Sequence, residues 1–274
     1  MSVLDDVLAD LTAEGDQLRA AVAGLDPAQW ATPTPAPGWS IATQVAHLLW
    51  TDEVAALAAA AHTPAGKEAW DAVVLAAIND PTGYVDACAL EVADLPPSAL
   101  LARWDAARAG LQEALRAVPE GQRMPWFGPP MSPTSMGTAR FMETWAHSLD
   151  VYDALAAGAG LARPEPTDRI RHVAHIGVRT RNFAFGQRQM EPPAEEFRVE
   201  LTAPSGATWA WGPEDAAQRV SGSAYEFCQL VTQRLHRDDT DLAAVGEEAE
   251  RWLGIAQAFA GPPGGGRDPK GEDA

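Results

Sequence analysis

Leu4, Leu8, Leu11, Leu18, Val22 and Leu25 recur mostly at three- and four-residue steps, which predicts an amphipathic helix over the first 25 residues. The run Thr32-Pro33-Thr34-Pro35-Ala36-Pro37-Gly38 excludes helix, because each proline removes an N–H and restrains its predecessor. Ser40 is a good N-cap for a second helix from Ile41 to about Ala61. A third apolar segment, Ala65 to Ala93, is broken by the turn cluster Asn79-Asp80-Pro81-Thr82-Gly83. After Pro96 and Pro97, Leu101, Trp104, Ala107, Leu111 and Leu115 form one stripe of a helix from Leu100 to Val118. Gly121 to Gly137 holds four Pro, three Gly and three Met beside Trp126 and Phe127, and is too apolar for a solvated linker. Thr138 to Ala156 reads as a further helix, closed by Gly158 and Gly160. Four principal helices, an inserted segment and long loops fit a four-helix bundle with crossover connections.

The pattern changes after the Gly158–Pro166 break. Arg169 to about Phe185 reads as helix. Phe197-Arg198-Val199-Glu200-Leu201 alternates like a strand, and Thr208-Trp209-Ala210-Trp211 follows a Pro-Ser-Gly turn, so a hairpin is expected. Two closing helices are expected, Ser223 to Leu235 and Leu242 to Phe259. The fold class is therefore mainly α. A helical bundle over residues 1–158 precedes a smaller α+β domain over 160–260 and a tail, 261–274, expected to be disordered. No internal repeat is present.

Composition narrows the function classes. The chain has 274 residues, 46% hydrophobic and 21% charged, which is ordinary globular usage with enough apolar material for a sizeable core. Its net charge of -18 repels phosphate backbones and anionic lipid, which argues against nucleic-acid and membrane-surface roles. No apolar run reaches the length of a membrane span, and the start Met1-Ser2-Val3-Leu4-Asp5-Asp6 lacks the layout of a signal peptide. The only two cysteines, Cys88 and Cys228, sit outside any local thiol motif; a reducing cytoplasm and inert buried thiols are expected. No Gly-x-Gly-x-x-Gly, phosphate-binding Gly-Lys-Thr loop or Gly-x-Ser-x-Gly elbow occurs. Partners are then expected to be small molecules, with the chain a monomer or homodimer.

The chemistry concentrates in histidine-bearing helices. Glu143 and His147 are four residues apart, on one helical face one turn from each other, where they can share a cation. Met142, Trp145, Ala146 and Leu149 make that helix too apolar to be wholly exposed. His47 lies in the equally apolar helix Trp39 to Trp50; a core histidine bonded to a carbonyl is the plain alternative. Together the three make a His₂Glu set, and three protein ligands leave a coordination position open, as in catalytic zinc sites.

Gly38-Trp39-Ser40 followed seven residues later by His47-Leu48 resembles the DinB-like metal-binding bundles. With Glu143-x-x-x-His147 it resembles the branch that contains mycothiol-dependent maleylpyruvate isomerase. Pro125-Trp126-Phe127-Gly128-Pro129-Pro130-Met131, Met142 to His147 and Ile255 to Gly261 are similar to an actinobacterial subfamily of metal-binding proteins of unassigned chemistry. The resemblance covers the bundle and extends to a small C-terminal domain. It implies that His47, Glu143 and His147 are the metal ligands, with Glu143 replacing a histidine of the all-histidine sets; Zn²⁺ is favoured, other divalent ions remaining open. It also implies a zinc-dependent enzyme that activates a mycothiol-like thiol for isomerisation or S-transfer. A thiol-independent hydrolase, cyclase or isomerase and a non-catalytic metal- or ligand-binding module stay open as alternatives.

Further candidates surround this set. Arg140, one turn before Glu143, could bind a substrate carboxylate. Asp150, three residues past His147, could orient an imidazole or act as a base. Trp50, Trp126, Phe127, Met131 and Trp145 are expected to wall a substrate pocket. Asp52 and Glu53 are expected to be solvated. Arg169, Arg171, Arg179, Arg181 and Arg188, with His172 and His175, form the one basic stretch, suited to an anionic or sugar-bearing cosubstrate or to a charged domain face.

Overall fold

The computed structural model describes residues 2–271, and the chain divides into two compact units, Met1–Arg163 and Pro164–Ala274. In the first unit a capping box of Ser2 and Asp5 starts α1 (Val3–Val22), and a second, of Asp26 and Gln29, starts the single turn α2 (Pro27–Trp30). Then come α3 (Ile41–Ala60), α4 (Pro64–Asn79), α5 (Tyr84–Ala93), α6 (Pro97–Ala117) and α7 (Pro133–Ala159). Helix α3 is central. It packs against α4, α5, α6 and α7, while α1 lies along α7. Leu18 and Val22 of α1, Ile41, Val45, Leu48 and Leu49 of α3, Leu100 and Trp104 of α6, and Val151 and Leu155 of α7 form one core. Each such side chain, fully buried, contributes about 1.5–3 kcal/mol. A helix enclosed on nearly every face carries its polar residues inward as well, which is how Gln44, His47 and Asp52 come to be buried.

Helix α7 starts five residues before the expected Thr138. Ser132 Oγ accepts from Ser135 N at 3.1 Å and Pro133 occupies the first turn, where its missing N–H costs nothing. The helix ends at Ala159, with Gly160 in the left-handed conformation (φ 68°).

In the second unit the helix expected over Arg169 to Phe185 is two helices, α8 (Arg171–Arg179) and α9 (Arg181–Gln187). They part at Thr180, whose hydroxyl bonds Ile176 O (2.9 Å) and Gln257 O (2.7 Å). Strands β1 (Phe197–Thr202) and β2 (Thr208–Trp211) form the expected antiparallel hairpin. Strand β3 (Gln218–Ser223) pairs parallel to β1, then comes α10 (Ala224–Val231), and β4 (Ala243–Val245) pairs antiparallel to β3 before α11 (Glu247–Leu253). The sheet order is β2-β1-β3-β4. The two closing helices are thus shorter than expected, and β4 occupies part of the range read as the second.

The Ile255–Gly261 motif closes this unit. Gln257 is buried, its Nε2 donates to Phe259 O (2.9 Å) and Gly261 O (2.7 Å), and Ala258 N donates to Val231 O (2.7 Å). Residues 261–271 form no helix or strand, and Lys270 N donates to the Asp239 carboxylate at 3.0 Å. Residues 272–274, the rest of the tail, lie outside the described residues. In the basic stretch Arg171, His175 and Arg179 are exposed along one face of α8. Arg171 lies over the Trp209 ring (5.8 Å), and Trp211 Nε1 donates to His175 Nδ1 (3.4 Å). No helix among the described residues is long and apolar enough to cross a membrane.

Both cysteines are free. Burial pushes the Cys228 thiol well above its ordinary range. Cys88 is raised more modestly, by burial and by Glu91 against the Tyr84 hydroxyl. Iodoacetamide is therefore expected to modify Cys88 alone, slowly, in native protein and both residues in denaturant. Intact mass gives the count, and two rapid native adducts would contradict this packing.

Candidate metal centre

Two helices bring the donors together. The loop before α3 folds back through the Pro33–Ser40 bridge, with Thr34 N donating to Trp39 O at 2.8 Å. Gly38 makes its turn at φ 79°, a conformation that strains any residue with a Cβ. Ser40 then caps α3, and His47 follows two turns in. From α7, Glu143 and His147 project one turn apart.

Glu143 Oε2 lies 3.4 Å from His47 Nε2 and 3.2 Å from His147 Nε2. One donor atom from each of the three residues falls within 4.8 Å of the others. Nitrogen and oxygen ligands of a tetrahedral zinc, each about 2.0–2.2 Å from the ion, stand about 3.3–3.5 Å apart; the His47 separation falls in that range and the His147 separation lies just below it. Among the described residues no other group of three or more His, Cys, Asp or Glu converges this way. The imidazole–carboxylate set suits zinc or a neighbouring divalent ion.

Hydrogen bonds fix which imidazole nitrogen faces inward. The Thr34 hydroxyl donates to Trp39 O (2.9 Å), and Gln44 Nε2 donates to Thr34 Oγ1 (2.9 Å). That orients the Gln44 amide with Oε1 toward His147 Nδ1, at 2.5 Å. An amide oxygen only accepts, so Nδ1 carries a proton and the ring is turned with Nε2 toward Glu143. His47 has no such support: its Nδ1 is buried and meets no partner among the described residues. The Trp39 ring stacks on His147 (5.8 Å, 15°) and tilts against His47 (5.2 Å), a wall over both imidazoles. Burial pushes the Glu143 carboxyl up, but the hydrogen bonds and charges of His147 and His47 outweigh it and hold the group well below the usual carboxylate range.

The remaining candidates separate. Arg140 is not free to take a substrate carboxylate. Its side chain is 2% exposed and its Nε donates to Asp52 Oδ1 at 2.9 Å, so Asp52 is buried and paired rather than solvated. Glu53 is bound bidentately by Arg103, at 2.7 Å for both bonds. Asp150 is buried, and Gln44 Oε1 accepts from His147 Nδ1. Trp145 is two residues, about 200°, round the helix from Glu143, so it faces away from the donors; it is buried. Trp50 packs edge-on against Tyr84 (5.6 Å). Trp126 and Phe127 gather on Trp70 of α4 (5.9 and 5.3 Å). Met131 closes that loop by backbone pairing with Met124. Gln44 and Trp39 were not picked out by spacing. Their signals were local all the same: Gln44 is one turn before His47, and Trp39 directly precedes the cap.

A family model described as the mycothiol maleylpyruvate isomerase N-terminal domain matches residues 11–152, and one described as wyosine base formation matches residues 193–245. An uncharacterized protein of Mycobacterium tuberculosis, found in two strains, is 56% identical over 260 residues, 95% of this chain and 97% of the relative. The crystal structure of a mycothiol-dependent maleylpyruvate isomerase shares the fold, with a TM-score of 0.57 at 16% identity, over 88% of this chain and 92% of that one.

Proposed function

Because the chain belongs to the mycothiol maleylpyruvate isomerase N-terminal domain family, we propose that it is a metal-dependent enzyme using a low-molecular-weight thiol, mycothiol or a relative, on a small electrophilic substrate. Isomerisation is the favoured reaction and S-transfer its variant. The observation that carries the reading is the convergence of His47 Nε2, Glu143 Oε2 and His147 Nε2 in a half-buried setting. Zinc bound there supplies a Lewis acid beside which a thiol ionises near neutral pH.

The chain's own residues set the conditions for that chemistry. Glu143 brings one negative charge to two neutral imidazoles, so a divalent site keeps net positive charge and attracts an anionic sulfur. Gln44 holds His147 in one tautomer and orientation. Trp39 covers the imidazole rings and keeps bulk water from competing for the donors. In the isomerisation the thiol sulfur adds to a carbon–carbon double bond, the resulting single bond rotates, and expulsion of the same thiol restores the double bond. The thiol is regenerated and no net oxidation occurs. A reducing cytoplasm is the compartment that keeps such a thiol available.

Titration calorimetry tests the reading. Mycothiol should bind metal-loaded protein with release of a proton, seen as a dependence of the heat on buffer ionisation enthalpy, and should not bind metal-free protein. Binding without metal, or none at millimolar thiol, would contradict it.

A further inference from the structure

The Arg140–Asp52 pair joins the two helices that carry the donors, and the mechanism above does not use it. Arg140 precedes Glu143 by three residues on α7; Asp52 follows His47 by five on α3. Both side chains are almost fully buried, 2% and 4% exposed. The guanidinium Nε donates to Asp52 Oδ1 at 2.9 Å, and Nη2 reaches Leu48 O, the carbonyl next to His47, at 3.4 Å. Arg140 thus grips the turn of α3 that carries His47 with a side chain rooted one turn from Glu143. Thr51 Oγ1 bonds His47 O itself (2.7 Å), and Thr144 Oγ1 bonds Arg140 O (2.9 Å), so polar bonds tie both anchor points to their own helices.

Net stability is a poor reason for such a pair. Two charges taken out of water lose hydration that their mutual attraction only about repays, and apolar residues of similar volume often serve the fold as well or better. A directional buried pair does specify register, since sliding one helix by a single residue moves it about 1.5 Å and breaks both guanidinium bonds. The same slide would disrupt donor separations of 3.2 and 3.4 Å.

We propose that Arg140 and Asp52 are positioning residues that set the register of α3 against α7, and thereby hold His47 within reach of Glu143 and His147. This rests on the metal-centre reading, but it also makes a claim about the metal-free protein. The test variant is Asp52→Leu with Arg140→Met, which removes both charges and keeps apolar volume. Its metal-free thermal midpoint is expected to match or exceed that of the unaltered protein. Its zinc affinity, by competition with a chromophoric chelator, should fall about 10–100-fold. A crystal structure of the metal-free variant should show the donor atoms spread beyond their present 4.8 Å limit.

Arg140→Lys keeps the charge but loses the planar fork, and should give intermediate zinc affinity; it serves also if the double variant fails to fold. Unchanged donor spacing with unchanged affinity in the double variant, or full affinity in Arg140→Lys, would overturn the proposal. If the unaltered protein binds no zinc while the variant's donors spread, the positioning role stands and the metal reading falls.

Discussion

Replacing both imidazoles, His47→Ala with His147→Ala, is expected to leave a folded protein that retains almost none of its divalent metal. The unaltered protein should purify with close to one ion per chain. Two of three protein ligands disappear in the variant, and Glu143 alone offers only a single carboxylate's weak hold. Folding should survive, because α3 and α7 are long, capped and buried on apolar faces, and alanine is the best helix former. Thiol-dependent turnover should fall to background with the metal. Inductively coupled plasma mass spectrometry gives the stoichiometry, and full metal content in the variant would place the ion elsewhere.

The same variant has an acid signature. In the metal-free protein Glu143 is raised by burial but lowered further by its two imidazole neighbours. A carboxyl depressed by folding contributes stability that is complete above its unfolded value, about 4.3, and is lost as pH falls through the lower folded value. With both imidazoles gone only the burial influence remains, which raises the carboxyl, so that contribution should be replaced by a cost. Denaturant midpoints of the two metal-free proteins should therefore diverge above about pH 4.3 and converge in stronger acid.

Gln44→Ala is expected to weaken zinc binding about 10–100-fold while every ligand stays in place. The substitution removes the amide oxygen that accepts from the His147 Nδ1–H and the donor to Thr34 Oγ1. Leaving buried polar groups unpaired costs about 1–3 kcal/mol of stability. The larger consequence is orientation: the ring can then present either nitrogen, and only Nε2 faces Glu143. Gln44→Glu, which still accepts at that position, should recover most of the affinity. Chelator competition measures both, and an unchanged affinity in Gln44→Ala would show that the hydrogen-bond chain does no positioning.

What could be read from the chain alone follows the range of the interactions. The Glu143/His147 spacing is a property of one helix, and the apolar frame around His47 reports an enclosed helix. The β1/β2 hairpin was equally visible, since alternation and a Pro-Ser-Gly turn are local. Arg140 and Asp52 are 88 residues apart, and His147 and Gln44 are 103 apart, so neither pairing leaves a mark in local periodicity. Arg140 reads as a carboxylate-binding candidate because its counter-ion comes from another helix. Strand β3 has one fully buried residue, Val220, among polar neighbours and glycine, and β4 is three residues long. Their pairing is set by backbone hydrogen bonds to β1 and β3, which side-chain pattern does not encode. The early start of α7 was hidden by Pro133, which breaks a helix interior but suits its first turn.

The central claim is that His47, Glu143 and His147 form a metal centre at which a small thiol is engaged. Crystals of zinc-loaded protein soaked with mycothiol, measured on both sides of the zinc absorption edge, test it most directly. One anomalous peak is expected, bounded by His47 Nε2, a Glu143 carboxylate oxygen and His147 Nε2, with the thiol sulfur beside it. An ion held by other residues, or a thiol bound away from that ion, would contradict it.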